Sequence, residues 1–161
     1  MQPVYYKPIG VVRSPFPAPS GVPIQPLAAQ GVEGTVEVLP EYEEGLRDLE
    51  GFSHVFLLYH FHLSGPASLL VRPYLDDTPR GVFATRAPSR PNPIGLSVVR
   101  LLGRQGRTLS VGELDIVDGT PVLDIKPFVP DFDNRLGCRV GWLEGRVGEA
   151  RRRMGDGRFD R

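Results

Sequence analysis

An all-β fold, or at most a β-rich α+β one, is what three features of the chain predict. Apolar residues come in short runs of strand length rather than in long helical stripes. Glycine (19) and proline (17) together make up 36 of the 161 residues and are scattered along the chain, as turns between short strands require. No alternation of strand and helix patterns recurs, which argues against a doubly wound parallel sheet.

The elements follow in order. Val4–Arg13 is a first strand and Gly34–Leu39 a second, with a helical turn over Glu41–Leu49. Ser53–His62 is nearly continuous in apolar residues and predicts a central strand buried on both faces. Strands at Gly81–Arg86 and Gly95–Leu102 flank a proline-rich loop. Thr108–Val117 and Pro121–Phe128 are predicted to form a hairpin through Asp118-Gly119, since both turn positions tolerate positive φ. Leu109 and Val111 fall on odd positions but Leu114 and Ile116 on even ones. Alternation cannot change face without an extra residue, so a β-bulge is expected at or beside Gly112. Such a bulge either re-aims groups at a site or simply tightens the local twist. Trp142–Met154 reads as a C-terminal helix.

Length and composition bound the function. A chain of 161 residues suits one domain with its own core. The single cysteine, Cys138, allows neither an internal disulfide framework nor a thiolate zinc cluster. Met1–Gly10 lacks a signal pattern, and the apolar run Val55–Tyr59 is too short to span a bilayer, so a soluble cytoplasmic protein is expected. Net charge is zero, which does not suit a nonspecific nucleic-acid coat. The halves differ, however. Residues 1–80 hold 5 basic against 9 acidic residues, net −4, and residues 81–161 hold 14 against 10, net +4. The basic half is weak support for a phosphate-bearing partner, and a solvated basic helix would account for it equally well.

Three segments could carry chemistry. In GVFATRAPSRPNPIG (81–95), Pro91 and Pro93 fix their own φ and push Arg90 and Asn92 into extended backbone. The loop is stiff before any ligand arrives and displays Arg86, Arg90 and Asn92; fixed guanidinium forks suit carboxylate or phosphate. A plain rigid connection with solvated arginines fits the spacing equally well. In DGTPVLDIKP (118–127), Asp118 and Asp124 could accept a proton or hold an amine, though an aspartate at a turn more often caps its own backbone. His54, His60 and His62 share parity, but with no cysteine or dedicated acidic ligand beside them, no metal site is expected; His62 suits a polar contact to a small ligand better. There is no Gly-x-Gly-x-x-Gly turn, P-loop or Gly-x-Ser-x-Gly elbow. Any nucleotide-like ligand would need a different architecture.

Six blocks, in order, resemble the TsaA/TrmO-like family: IGVVRSPF (9–16), VPIQP (22–26), LEGFSHVFLLYHFH (49–62), GVFATRAPSRPNPIGLS (81–97), GELDIVDGT (112–120) and PVLDIKPFVP (121–130). The resemblance covers about Tyr6 to Pro130. It implies a small β-barrel with short peripheral helices, here over residues 1–135, followed by a short helical extension over 136–161 carrying the predicted C-terminal helix. It also implies a methyltransferase that uses S-adenosyl-L-methionine (SAM) without a Rossmann fold and acts on N6 of N6-threonylcarbamoyladenosine beside the tRNA anticodon. A homodimer with the cofactor near its interface is implied as well.

Carried over by position, the resemblance implies cofactor contacts at Gln25, Pro26, His62, Leu63, Arg86 and Leu96 and along Gly112, Glu113, Leu114 and Asp115. Methyl transfer is an in-line displacement governed by positioning, and an acylated N6–H is a poor nucleophile until deprotonated. Asp118 is the candidate general base. Arg90, Asn92 and Lys126 are candidates for the threonyl carboxylate or the RNA backbone. The larger bacterial members carry a further C-terminal domain that this sequence lacks, which leaves three alternatives: N-methylation of another, smaller substrate, a non-catalytic SAM- or nucleotide-binding module, or a barrel whose motifs serve only dimerisation.

Overall fold

The computed structural model describes residues 1–159. Six strands close into a barrel: β1 (Gly10–Arg13), β2 (Glu33–Val38), β3 (His54–His60), β6 (Ile94–Gln105), β7 (Thr108–Gly112) and β8 (Pro121–Pro127). Around the barrel they run β1-β2-β7-β6-β3-β8, every neighbouring pair antiparallel. Two short strands, β4 (Leu70–Val71) and β5 (Arg80–Gly81), pair in a separate ribbon beside it. The all-β, barrel expectation therefore holds. The only α-helix among the described residues is the single turn Pro130–Asp133; the other helical pieces are 3-10 turns, including Pro40–Leu46 and Leu49–Gly51.

Period-two alternation fills the barrel with branched aliphatics. Val12, Val36, Val38, Val55, Leu57, Val99, Leu109, Val111 and Val122 point inward and are completely buried. Burying a side chain of this size contributes about 1.5–3 kcal/mol. Closure leaves none of these six strands with an unpaired edge.

Several expectations need correction. The first strand begins at Gly10 rather than Val4, and the strand expected over Gly81–Arg86 is the end of β5 followed by a 3-10 turn, Val82–Ala84. β3 alternates, with Val55, Leu57 and Tyr59 buried and His54, Phe56, Leu58 and His60 only half-buried. Its outward apolar residues are covered in part, as where Phe128 meets Phe56 edge-on at 5.4 Å. Next, β7 and β8 are not a hairpin: β7 pairs with β2 and β6, and β8 with β1 and β3. The Asp118-Gly119 turn, with Gly119 at φ 75°, instead docks on the end of β1. Gly119 N–H donates to Val12 O at 2.9 Å and Asp118 N–H to Phe16 O at 2.8 Å.

The bulge lies on the partner strand. Leu101 pairs with Val111 and Gly103 with Ser110, so Leu102 is the extra residue, packed beside Gly112. The change of parity in the 109–116 segment comes instead from Glu113, whose φ of 60° turns the chain just past the end of β7 and returns Leu114 and Ile116 to the core. Finally, the helix expected over Trp142–Met154 is two 3-10 turns, Gly141–Leu143 and Val147–Arg152, broken at Gly145 with φ 76°. The chain then returns to the barrel side, where Met154 forms a β-bridge with Pro23 and Phe159 is buried with Val71, Val82 and Ala87.

Candidate functional site

At the barrel end where β3 leaves and β6 enters, the inward positions change from apolar to polar. Along β6 they read Val99, then Ser97, then Gly95. Along β3 they read Val55, Leu57, Tyr59. Tyr59 pairs with Gly95 across the strands, and its ring lies over the glycine so closely that a Cβ there would sit 2.2 Å from Cε2. Tyr59 and Ser97 hydroxyls are 3.1 Å apart, and Ser97 Oγ donates to Asp115 Oδ1 at 2.6 Å. A serine has one proton to give, so when it serves the carboxylate, Tyr59 O–H donates to Ser97.

A cavity of about 290 Å³ opens over this polar end. Its walls come from the barrel (Tyr59, Leu96, Asp115), the proline loop (Thr85, Arg86, Arg90), the 19–25 segment (Ile24, Gln25) and the C-terminal tail (Gly155, Phe159). Its lining is mainly apolar, and Asp115 is its single acidic residue among the described residues. Burial pushes the Asp115 carboxyl up to about 7, opposed by the Ser97 hydrogen bond and the nearby Arg86 charge. Burial, reinforced by the Asp115 charge, raises Tyr59 above its ordinary phenol value, so it stays a donor.

Local bonds hold the loop in place. Arg90 turns its guanidinium onto the backbone, with Nη1 donating to Thr85 O and Ala87 O, each at 3.1 Å. Thr85 Oγ1 donates to Val82 O and accepts from Ala87 N–H. This leaves Arg86 exposed at the mouth, where Nη1 donates to Gln25 Oε1 at 3.0 Å across 61 residues of chain.

The fold thus gathers Gln25, His62, Leu63, Arg86, Leu96 and Asp115 around one cavity, together with Arg90. His62 Nδ1 stands 3.3 Å from Thr120 Oγ1. Pro26, Gly112, Glu113 and Leu114 do not line it; Leu114 points into the core. Nor do Asn92 and Lys126: Asn92 is exposed, and Lys126 pairs with Asp124 at 2.7 Å. Asp118 sits at the rim between Val117 and Thr120, which do line the cavity, and its Oδ1 accepts Ser14 N–H at 3.0 Å.

Tyr59 and Ser97 were missed as functional candidates. The available signal was parity: both stand at inward positions of strands whose other inward residues are apolar or small, and a buried hydroxyl there needs a partner. The C-terminal tail gave no such signal, because its place in the wall depends on long-range backbone bonds, Gly155 N–H to Val22 O at 2.7 Å and Gly65 N–H to Phe159 O at 2.9 Å.

Comparison with known proteins adds a family. The model of the tRNA-methyltransferase O N-terminal domain matches residues 11–134. A Pyrococcus abyssi protein named "Probable S-adenosyl-L-methionine-binding protein" is 56% identical over 156 residues, 97% of this chain and 85% of its own length. The tRNA (adenine(37)-N6)-methyltransferase of Escherichia coli K12 is 42% identical over 135 residues, 78% of this chain and 57% of that protein. The crystal structure of TrmO from Pseudomonas aeruginosa superposes with a TM-score of 0.74 at 43% identity, covering 88% of this chain and 63% of that one. The chain thus spans less than two thirds of those last two proteins. With the match running through the barrel and the segments that build the cavity, the chain belongs to the tRNA-methyltransferase O N-terminal domain family.

Proposed function

We propose that the protein is a SAM-dependent methyltransferase that binds its cofactor in the cavity and methylates N6 of N6-threonylcarbamoyladenosine next to the tRNA anticodon. The carrying observation is a cavity that combines apolar walls, the carboxylate of Asp115 and an exposed arginine, Arg86, at its mouth, in a family whose relatives are named for SAM binding and for tRNA adenine-N6 methylation. The donor set fits the cofactor. Ile24, Leu96 and Phe159 offer apolar surface to a purine, Asp115 an acceptor for a cation, and Arg86 with Gln25 donors and an acceptor for a carboxylate and amine. When bound, the cofactor supplies an electrophilic methyl group.

The protein's own contribution is alignment and proton management. Asp118, held at the rim by Ser14 N–H, is the proposed base for the acceptor's N6 proton. Arg90, Asn92 and Lys126 are the proposed contacts to the threonyl carboxylate or to RNA phosphates. The reading includes Pro26 and the Gly112–Leu114 run as backbone and packing support for the cofactor. It also includes a cytoplasmic location and a homodimer with the cavity near its interface, for which the exposed apolar side chains of Phe83, Ile94 and Leu96 are available. No helix among the described residues is long and apolar enough to cross a membrane.

The test is calorimetric titration with SAM on the native protein and on Arg86→Ala, followed by methyl transfer to tRNA carrying the threonylcarbamoyl group. Saturable binding weakened by the substitution, with methylation of that tRNA, supports the reading; a folded protein that binds no SAM overturns it. A second reading, N-methylation of a smaller acceptor, is favoured by the zero net charge, because phosphate contacts supply much of the affinity for RNA. It predicts turnover on the free modified nucleoside that added salt leaves unchanged.

A further inference from the structure

Tyr59 and Ser97 form a hydroxyl chain that enters the cavity wall from inside the barrel and ends on Asp115. The chain is built at a cost. A phenol and a serine hydroxyl occupy inward positions that elsewhere in β3 and β6 hold valine and leucine, and position 95 must be glycine to admit the ring. Packing alone would be served better by apolar side chains of similar volume. Both hydroxyls are satisfied only as a directed series: Tyr59 gives to Ser97, and Ser97 gives to Asp115. Such a series favours the ionised carboxylate and fixes its direction.

The geometry points to Ser97 and Tyr59 as positioning residues that hold Asp115 ionised, as the anionic acceptor for the cation of the bound cofactor. This rests on the cofactor reading above and deepens it. The cation is either the sulfonium or the ammonium of SAM; Ser97 occupies Oδ1, and the second carboxylate oxygen can serve either. Tyr59 behind it and Arg86 at the mouth are the groups that act electrostatically on Asp115, and His62 and Arg90 line the same cavity. Asp115 is the group whose ionisation the profile is designed to report, and D115N separates it from any other titrating group, the cofactor's own ammonium included.

The experiment is calorimetric SAM binding to the full chain between pH 6 and pH 9, on the native protein, Asp115→Asn, Ser97→Ala and Tyr59→Phe, each checked for native fold by near-ultraviolet circular dichroism. Native affinity should rise about tenfold from pH 6 to pH 8.5 as the carboxyl ionises. D115N should bind weakly with a flat profile. S97A should move the midpoint upward by about one pH unit, a loss of about fivefold at pH 7 and about tenfold at pH 6 that largely recovers at pH 9, and Y59F should move it the same way by less. A purely structural lesion would lower affinity by one factor at every pH. The same titration with S-adenosylhomocysteine, which lacks only the sulfonium, separates the two cations. A steeper profile for SAM assigns the sulfonium, and equal profiles assign the ammonium. The inference is overturned by a flat native profile, by a D115N variant that keeps the native pH dependence (which would assign it to another group), or by an S97A loss that is uniform with pH. Absence of SAM binding at every pH would instead remove the functional reading itself, and this inference with it.

Discussion

Replacing Asp115 by asparagine should stabilise the ligand-free protein while weakening its site. The carboxyl stands at about 7 in the folded chain against an ordinary 3.8, because burial penalises its charge. At 1.36 kcal/mol per pH unit, that difference is worth about 4 kcal/mol. The folded value lies above the unfolded one, so the folded state binds the proton more tightly through the interval between them. Stability from this group therefore falls as pH rises from about 4 to about 7, and the cost is complete above that. Asparagine keeps the shape and an oxygen for Ser97 but cannot ionise. Urea denaturation at pH 5 and pH 8 measures the effect. The gain of D115N over the native protein should be about 2 kcal/mol at pH 5 and grow to about 4 kcal/mol at pH 8, with SAM affinity reduced at pH 8. A gap of the same size at both pH values, or a variant weaker than the native protein at pH 8, would refute the claim that a desolvated carboxylate is held in this wall.

Further expectations follow from single contacts. Gly95→Ala would put a Cβ 2.2 Å from the Tyr59 ring; displacing it should cost about 1–3 kcal/mol and lower SAM affinity, read by denaturation and calorimetry. Leu57→Ala, in the middle of the barrel core, should cost about 2–5 kcal/mol in the same denaturation assay. Phe159→Ala removes a cavity wall outside the barrel and should weaken SAM binding several-fold while leaving the barrel's unfolding midpoint nearly unchanged. Asp118→Asn should lower kcat with SAM affinity retained; a loss of cofactor affinity instead would reduce Asp118 to the cap of Ser14 N–H.

Much of the site was legible because local chemistry announces it. The proline loop had to be stiff and to display arginines, and Arg86 does stand at the cavity mouth. Arg90 shows the limit of that reasoning: its guanidinium is committed in large part to Thr85 O and Ala87 O, a use that spacing could not separate from ligand binding. The two aspartates of the 115–118 stretch look alike in sequence, yet Asp115 faces the cavity and Asp118 caps the end of β1. What separates them is the chain direction set by Glu113 at positive φ just past β7.

The all-β class, most of the core strands, the stiffness of the loop and the absence of a glycine-rich phosphate turn were determined by the sequence itself. They depend on neighbours a few residues apart, where alternation and proline geometry act directly. Tertiary structure alone decided which strands adjoin. A hairpin signal at Asp118-Gly119 gave way to barrel closure, which sends β7 to β2 and β6, and β8 to β1 and β3. Closure also joins Tyr59 to Ser97 over 38 residues and Ser97 to Asp115 over 18, and it lets the tail at Phe159 complete the wall. Periodicity tells which side of a strand a residue occupies; which partner waits on that side is settled by register and closure, which no local pattern encodes.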